Sequence, residues 1–100
     1  MLKVALICGT GATSSFMALR LKHALKERNL TMMVQVYPEV TIGEDIESFD
    51  YILLGPHLSF LQQELPAKFD VENKVYTIPG QIYASMDGSQ LLDFLLVQMD

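Results

Sequence analysis

Residues 3–15 read KVALICGTGATSS, and the organisation of the whole chain follows from this stretch. A short apolar run at residues 4–7 ends at Cys8, and a segment rich in glycine and hydroxyl residues comes next. Beyond that segment, apolar residues recur at helical spacing. The stretch therefore predicts a buried strand, a tight loop and the N-terminus of a helix.

The loop after Cys8 has the composition of an anion-binding site. Its two glycines allow a tight turn with inward-pointing amides, and its four hydroxyl residues add further donors. The helix N-terminus that follows presents unpaired amides and a positive dipole end, which stabilise phosphate without a metal. The predicted phosphate-binding residues are Gly9, Thr10, Gly11, Ala12, Thr13, Ser14 and Ser15.

Cys8 itself fits two interpretations. A lone cysteine that ends an apolar strand is commonly a small buried side chain. A core cysteine does not need such a loop behind it, however, and the carboxyl end of a first strand is where open α/β sheets bind ligands. The functional interpretation is therefore favoured, with Cys8 as the candidate catalytic nucleophile.

Length and composition exclude several classes of protein. One hundred residues predict one domain over residues 1–100, and a net charge of −5 argues against nucleic acid as a partner. No apolar stretch is long enough for a membrane span or a signal peptide, so we expect a cytoplasmic protein. With one cysteine and two isolated histidines, no disulfide, metal site or cofactor is expected.

The first helix is bounded by clear signals. Thr13 or Ser14 is predicted to cap it, and Asn29 is predicted to end it after about Arg28. The elements predicted after it are a strand at 31–37, a short acidic helix at 41–47, a strand at 51–54, a helix from Pro56 to Pro66, a strand at 75–78, an irregular loop or half-turn at 81–88 and a helix from Ser89.

Four strands that alternate with helices predict an α/β fold. We expect a three-layer, open four-stranded parallel sheet of order 2-1-3-4, with helices on both faces. The first strand then lies beside the point where the strand order reverses, which is the place for a ligand crevice. His57 follows the third strand at the same edge as Cys8, and it is a candidate accessory residue together with Tyr83 and Asp87.

The sequence resembles a known family at three places. The spacing of Cys8 and residues 11–15 resembles the Cys-x-x-Gly-x-Ser/Thr-Ser/Thr-Ser phosphocysteine loop of IIB components of the bacterial sugar phosphotransferase system, lactose/cellobiose type. Residues 51–56, YILLGP, are similar to the third strand and Leu-Gly-Pro corner of that family, and residues 83–88 to its segment before the last helix. Two positions depart from the pattern: His57 stands where glutamine is expected, and Ala84 where glycine is common.

The resemblance implies a phosphoryl carrier. Cys8 would accept a phosphoryl group from a phosphohistidine on a IIA partner and pass it to a sugar bound to a membrane IIC partner. The implied sugar is a β-linked disaccharide such as cellobiose, chitobiose or lactose. A cytoplasmic protein that associates with the membrane through IIC is therefore expected.

Two rival classes are less well supported by the residues. A low-molecular-weight phosphatase also uses a cysteine at the end of a first strand, but it needs an arginine six positions later, where this chain has Ser14. A dinucleotide-binding module would share Gly9 and Gly11, but Ser14 also replaces the third glycine of its fingerprint.

The position of Cys8 before a helix N-terminus generates a first prediction. The helix dipole favours the thiolate, so we expect a thiol pKa below the value of about 8.5 for a free cysteine. The rate of alkylation of Cys8 as a function of pH measures this pKa. A midpoint at or above about 8.5 would contradict the prediction.

Overall fold

The structure, a computed structural model, describes residues 2–8, 11–38 and 42–99, except for the side chains of residues 8 and 11–14. These residues form four strands and four α-helices, with 3₁₀ helices at Glu44–Ser48, between the second and third strands, and at Pro56–Leu58. These elements are β1 (Leu2–Cys8), α1 (Gly11–Glu27), β2 (Met32–Pro38), β3 (Tyr51–Leu54), α2 (Leu61–Lys68), β4 (Val75–Thr77), α3 (Gly80–Ser85) and α4 (Gly88–Met99).

The strands form one parallel sheet of order β2-β1-β3-β4, which confirms the predicted order. β1 pairs with β2 along its whole length and with β3 through Val4–Ile7, so it is hydrogen-bonded on both sides. Beyond β3, the three residues of β4 form the second edge of the sheet. The carboxyl ends of all four strands therefore lie along one edge.

Two hydrophobic cores cover the two faces of the sheet, as predicted. Val4 and Leu6 of β1 pack in the core that contains residues of α1 and α4, whereas Ala5 and Ile7 pack in the core that contains residues of α2. All four side chains have 0% relative exposure. Because successive side chains of a strand point to opposite faces, one buried run supplies both cores.

The end of α1 follows its sequence signal, but its start does not. Asn29 adopts the left-handed conformation, with φ 56°. Its amide donates to Lys26, and the amide of Leu30 donates to Leu25 at 2.9 Å, so two terminal carbonyls are satisfied. The prediction that Thr13 or Ser14 caps α1 is wrong, because the helix already begins at Gly11. Those residues lie within the first helical turns, where hydroxyl residues are also tolerated.

The prediction that Pro66 stops the following helix is also wrong. The helix is divided into the 3₁₀ helix Pro56–Leu58 and α2, and Pro66 lies inside α2. Pro66 has no N–H and so removes one helical hydrogen bond. The carbonyl of Leu65 still accepts a hydrogen bond from the Phe69 amide at 2.8 Å, which closes the last turn.

The segment predicted as an irregular loop at residues 81–88 contains α3. Two amides of its first turn donate to the Pro79 carbonyl at 3.1 Å each, so the helix forms directly after the proline. Ala84 favours this conformation, since alanine has a higher helix propensity than the glycine expected there. Met86 then ends the segment in the left-handed conformation, with φ 54°.

The boundaries of the remaining elements differ from the predicted boundaries by a few residues. β2 lies one residue further along than predicted, β4 ends one residue earlier, and the acidic 3₁₀ helix covers Glu44–Ser48, with residue 41 outside the described residues. Within residues 2–8, 11–38 and 42–99, no helix has the length and apolar content needed to cross a membrane.

α4 is joined to α1 by a close backbone approach and by a polar contact. A Cβ atom on buried Gly88 would lie 2.2 Å from the carbonyl oxygen of Arg20, so only glycine fits between the two helices. Further along, Arg28 Nη1 contacts Asp93 Oδ1 at 2.7 Å, and Arg28 Nη2 donates to the carbonyl of Ser89. The hydrogen bond with Asp93 raises the pKa of Arg28.

The close approach at Gly88 generates a second prediction. Gly88→Ala forces α4 away from Arg20 and should lower the free energy of unfolding by about 1–3 kcal/mol, as overpacking does. Gly80→Ala is the matched control, because a Cβ there meets nothing within 4 Å. It should be neutral or stabilise by up to about 1 kcal/mol. Denaturant unfolding of both variants measures the difference, and equal midpoints would contradict this account.

The N-terminus of α4 generates a third prediction. Asp87 Oδ1 accepts hydrogen bonds from the amides of Ser89 and Gln90, at 3.0 and 3.1 Å, and so caps the helix. Asp87→Ala should therefore destabilise the fold by about 1 kcal/mol, whereas Asp87→Asn should retain most of the stability. Thermal or denaturant unfolding measures both. A wild-type midpoint for Asp87→Ala would show that the cap contributes nothing.

Candidate functional site

Cys8 is the last residue of β1, one of the two inner strands of the sheet. It pairs with Pro38 of β2 on one side. On the other side, the carbonyl of Ile7 accepts a hydrogen bond from the amide of Gly55 at 2.9 Å, directly after the end of β3. The backbone of Cys8 therefore lies between two strand ends, at the edge where parallel α/β sheets bind ligands.

α1 starts close to this edge, because only residues 9 and 10 separate it from β1. The first four N–H groups of an α-helix have no partner within the helix, and the positive end of its dipole lies there. Gly11, Ala12, Thr13, Ser14 and Ser15 thus supply backbone from the first turns of α1. Gly9, Thr10 and the side chains of residues 8 and 11–14 lie outside the described residues, so phosphate binding by this loop stays a prediction.

His57 and Tyr83, two candidate accessory residues, are brought together by the fold. His57 lies in the 3₁₀ helix that follows β3, and Tyr83 lies in α3 after β4. Their rings meet edge to face, with centroids 6.1 Å apart and planes at 64°. Because the Gly55 amide fixes the start of this turn to Ile7, the pair lies at the same edge as Cys8.

A second phenol lies on the other side of the central strand. Tyr37, the partner of Ile7 in β2, donates a hydrogen bond to Asp45 Oδ2 and so joins the end of β2 to the 3₁₀ helix at Glu44–Ser48. The hydrogen bond with Asp45 raises the pKa of Tyr37. Its ring packs edge-on against Phe49 at 5.4 Å. Tyr37 therefore remains a neutral phenol with a structural partner.

The third accessory candidate, Asp87, serves as the cap of α4 described above. It lines a cleft of about 350 Å³ together with Arg20, His23 and residues of the turn before α4. Neither His57 nor Tyr83 lines this cleft. The sequence signal for the cap was present, since aspartate directly before a helical pattern is a common N-cap.

Two large apolar side chains on α1 are exposed, and the sequence analysis did not identify them. Phe16 has a relative exposure of 51% and Leu19 of 64%, and the guanidinium of Arg20 lies over the Phe16 ring at 5.4 Å. They fall outside the apolar stripe of Met17 and Leu21, both of which are fully buried. The sequence contains a signal for this exposure, because Phe16 and Leu19 do not fit the helical spacing of the buried apolar residues.

Comparison with known proteins gives a consistent result. The chain is 27% identical over 100 residues to the oligo-beta-mannoside-specific EIIB component of the phosphotransferase system of Bacillus subtilis (strain 168), covering 99% of this chain and 97% of that protein. Its fold matches the lactose-specific IIB domain of Streptococcus pneumoniae, with a TM-score of 0.83, 19% identity and coverage of 99% and 98%. It also matches the cellobiose-specific IIB protein of Borrelia burgdorferi, with a TM-score of 0.73, 22% identity and coverage of 97% and 90%.

The model of one protein family covers almost the whole sequence. Residues 3–94 match the family described as lactose/cellobiose-specific IIB subunit of the phosphotransferase system. This match confirms the resemblance found in the sequence. IIB subunits are the phosphotransferase components of a system that phosphorylates sugars. The chain therefore belongs to the lactose/cellobiose-specific IIB family and is a sugar phosphotransferase component.

Proposed function

We propose that Cys8 carries the phosphoryl group. The observation that supports this most directly is its position as the last residue of the central strand, with α1 beginning at Gly11. A phosphoryl group on the sulfur would lie close to the unpaired amides and the positive dipole end of α1. The same field favours the thiolate, which is the nucleophilic form of cysteine.

The proposed relay has two balanced steps. In the first step, the Cys8 thiolate attacks the phosphorus of a phosphohistidine on IIA: an S–P bond forms, the N–P bond breaks, and the histidine nitrogen keeps the electron pair and takes a proton from solvent, so that it leaves as neutral imidazole. In the second step, a sugar hydroxyl on IIC attacks the phosphorus, an O–P bond forms, and the sulfur leaves as thiolate. The proton of the hydroxyl passes to a base of IIC. The thiolate of Cys8 is thereby regenerated.

The composition of the loop suits a carrier better than a hydrolase. Phosphatases of this geometry stabilise developing charge with an arginine, whereas residues 9–15 contain no charged side chain. Backbone amides and hydroxyl groups hold a phosphoryl group but activate water poorly. The phosphocysteine would then survive until the sugar hydroxyl arrives.

We infer the partners and the sugar class from the family. IIB subunits work in general with IIA and IIC proteins, and the exposed Phe16 and Leu19 in the second and third turns of α1 offer such a partner an apolar surface. The names of the related proteins refer to oligo-beta-mannoside, lactose and cellobiose. We propose a β-linked disaccharide or short oligosaccharide as the sugar, a single IIB domain over residues 1–100, and action at the cytoplasmic side of the membrane through IIC.

Phosphorylation of Cys8 is the fourth prediction. The protein is incubated with phosphoenolpyruvate, the general components of the phosphotransferase system and a IIA protein of the family. Its intact mass should rise by one phosphoryl group in wild type and should not change in Cys8→Ser, since serine is a far weaker nucleophile and forms no phosphocysteine. His23→Gln, which changes an exposed side chain of α1 that the proposal does not use, should be phosphorylated like wild type.

Two outcomes would contradict this proposal. A gain of mass that persists in Cys8→Ser would place the phosphoryl group on another residue. Rapid release of nitrophenol from p-nitrophenyl phosphate that depends on Cys8 would instead support a phosphatase. We expect slow hydrolysis of phospho-Cys8 in the isolated protein and negligible release of nitrophenol.

A further inference from the structure

The two edges of the sheet differ in length and in protection. β4 forms one edge with three residues, Val75–Thr77, and the charged Lys74 directly precedes it. β2 forms the other edge with seven residues, Met32–Pro38, which pair with β1 without a bulge. Native sheets protect their edges with short strands, bulges, prolines or charged side chains. β4 has such protection, whereas within β2 it is limited to the proline at the last position.

The edge strand β2 belongs to an uncharged and largely apolar segment. Residues 30–38, LTMMVQVYP, contain no charged side chain, and their valine, tyrosine and threonine residues favour strands. Within residues 2–8, 11–38 and 42–99, no strand pairs with the outer side of β2. Leu2, Leu30 and Met33, at the amino end of β2, have relative exposures of 38%, 37% and 46%. The outer side of β2 thus offers backbone groups and apolar side chains to a further strand.

The two ends of β2 adjoin side chains of opposite charge. At the amino end, Lys22 and Lys26 of α1 line a groove of about 400 Å³ together with residues 29–32. At the carboxyl end, Tyr37 donates a hydrogen bond to Asp45, and the 3₁₀ helix that contains this aspartate has three acidic side chains and no basic one. Because a strand rises about 3.3 Å per residue, the basic and acidic ends lie about 20 Å apart.

This arrangement makes the edge complementary to a second copy of itself. Two β2 strands in antiparallel orientation bring the basic end of each copy beside the acidic end of the other, whereas a parallel orientation brings like charges together. Identical strands that pair in this way are related by a twofold axis, and both copies use the same surface. Such a contact closes at two copies, because it occupies both β2 edges and leaves the short β4 edges on the outside.

We propose that two copies of this chain associate through antiparallel pairing of β2 about a twofold axis at Gln35, so that their two four-stranded sheets form one sheet of eight strands. Gln35 is the middle residue of β2, so this register pairs the largest number of residues. Gln35 then faces its own copy across the axis, Val34 faces Val36, and Met33 faces Tyr37. Cross-strand pairs of apolar and aromatic side chains stabilise such a contact.

The association should be weak and should not join the two phosphotransfer sites. A contact limited to one strand of seven residues and its flanking side chains lies at the low end of specific interfaces, below about 1,200 Å² of buried area. We therefore expect a dissociation constant of about 10 µM to 1 mM, typical of such small contacts. Because the paired strands run in opposite directions, the edges that carry Cys8 lie at opposite ends of the eight-stranded sheet.

The fifth prediction tests the position of the axis. Sedimentation velocity of wild type over about 10 µM to 1 mM should show a monomer that passes into a dimer. Gln35→Lys and Gln35→Glu should each associate more weakly, because each variant places two like charges directly opposite one another. An equimolar mixture of the two variants should associate again, since the charges across the axis are then opposite. The dissociation constant of the mixture should be about tenfold lower than that of either variant alone.

A matched control and a measurement on wild type complete the test. Gln90→Lys changes the net charge as Gln35→Lys does, but at an exposed position of α4, and should associate like wild type. Gln35 is also exposed, so its variants should keep the fold, which denaturant unfolding checks. In a mixture of isotope-labelled and unlabelled wild type, intermolecular NOEs should connect Val34 with Val36, whose Cβ atoms lie about 5 Å apart in this register.

Three results would overturn this inference. The first is a wild-type protein that stays monomeric up to about 1 mM. The second is a dimer that the Gln35 variants do not weaken, or whose intermolecular NOEs connect residues outside β2, since the interface would then lie elsewhere. The third is growth beyond the dimer, because pairing about a twofold axis closes at two copies. A phosphoryl group on a residue other than Cys8 would overturn the proposed function and leave this inference intact.

Discussion

The burial of β1 on both faces is the constraint on which the rest of the structure depends. Val4, Ala5, Leu6 and Ile7 are all inaccessible to solvent, and hydrogen-bonded strands flank them on both sides. Such a strand requires helices on both faces of the sheet and cannot lie at its edge. β1 ends at Cys8, at the edge where the carboxyl ends of all four strands lie.

The strands beside Cys8 end at the same level of the sheet, because each of them ends at a proline or is followed closely by one. Pro38 is the partner of Cys8 in β2, Pro56 follows the Gly55 corner after β3, and Pro79 follows β4. Proline has no N–H and cannot extend a ladder as a donor. The unpaired amides of the first turn of α1 add backbone donors at this rim. The position of α1 depends in turn on α4, which approaches it at Gly88 and is capped by Asp87.

The sequence predicted the features that depend on strong local patterns. The apolar runs of β1 and β3, the stop at Asn29 and the strand order all follow from hydrophobic pattern, turn chemistry and the handedness of crossovers. Local patterns could not show that Pro66 fits within a helix, because tertiary contacts hold that turn. Nor could they show that His57 meets Tyr83, since residues 26 positions apart meet only through the packing of α3 at the sheet edge.

A carrier and a hydrolase differ in how strongly the site binds the phosphoryl group in its transition state. A permanent cation such as arginine stabilises the charge that develops when any nucleophile attacks, water included. Amides and hydroxyl groups hold the group with partial charges alone, so the attacking atom and its base must come from a partner.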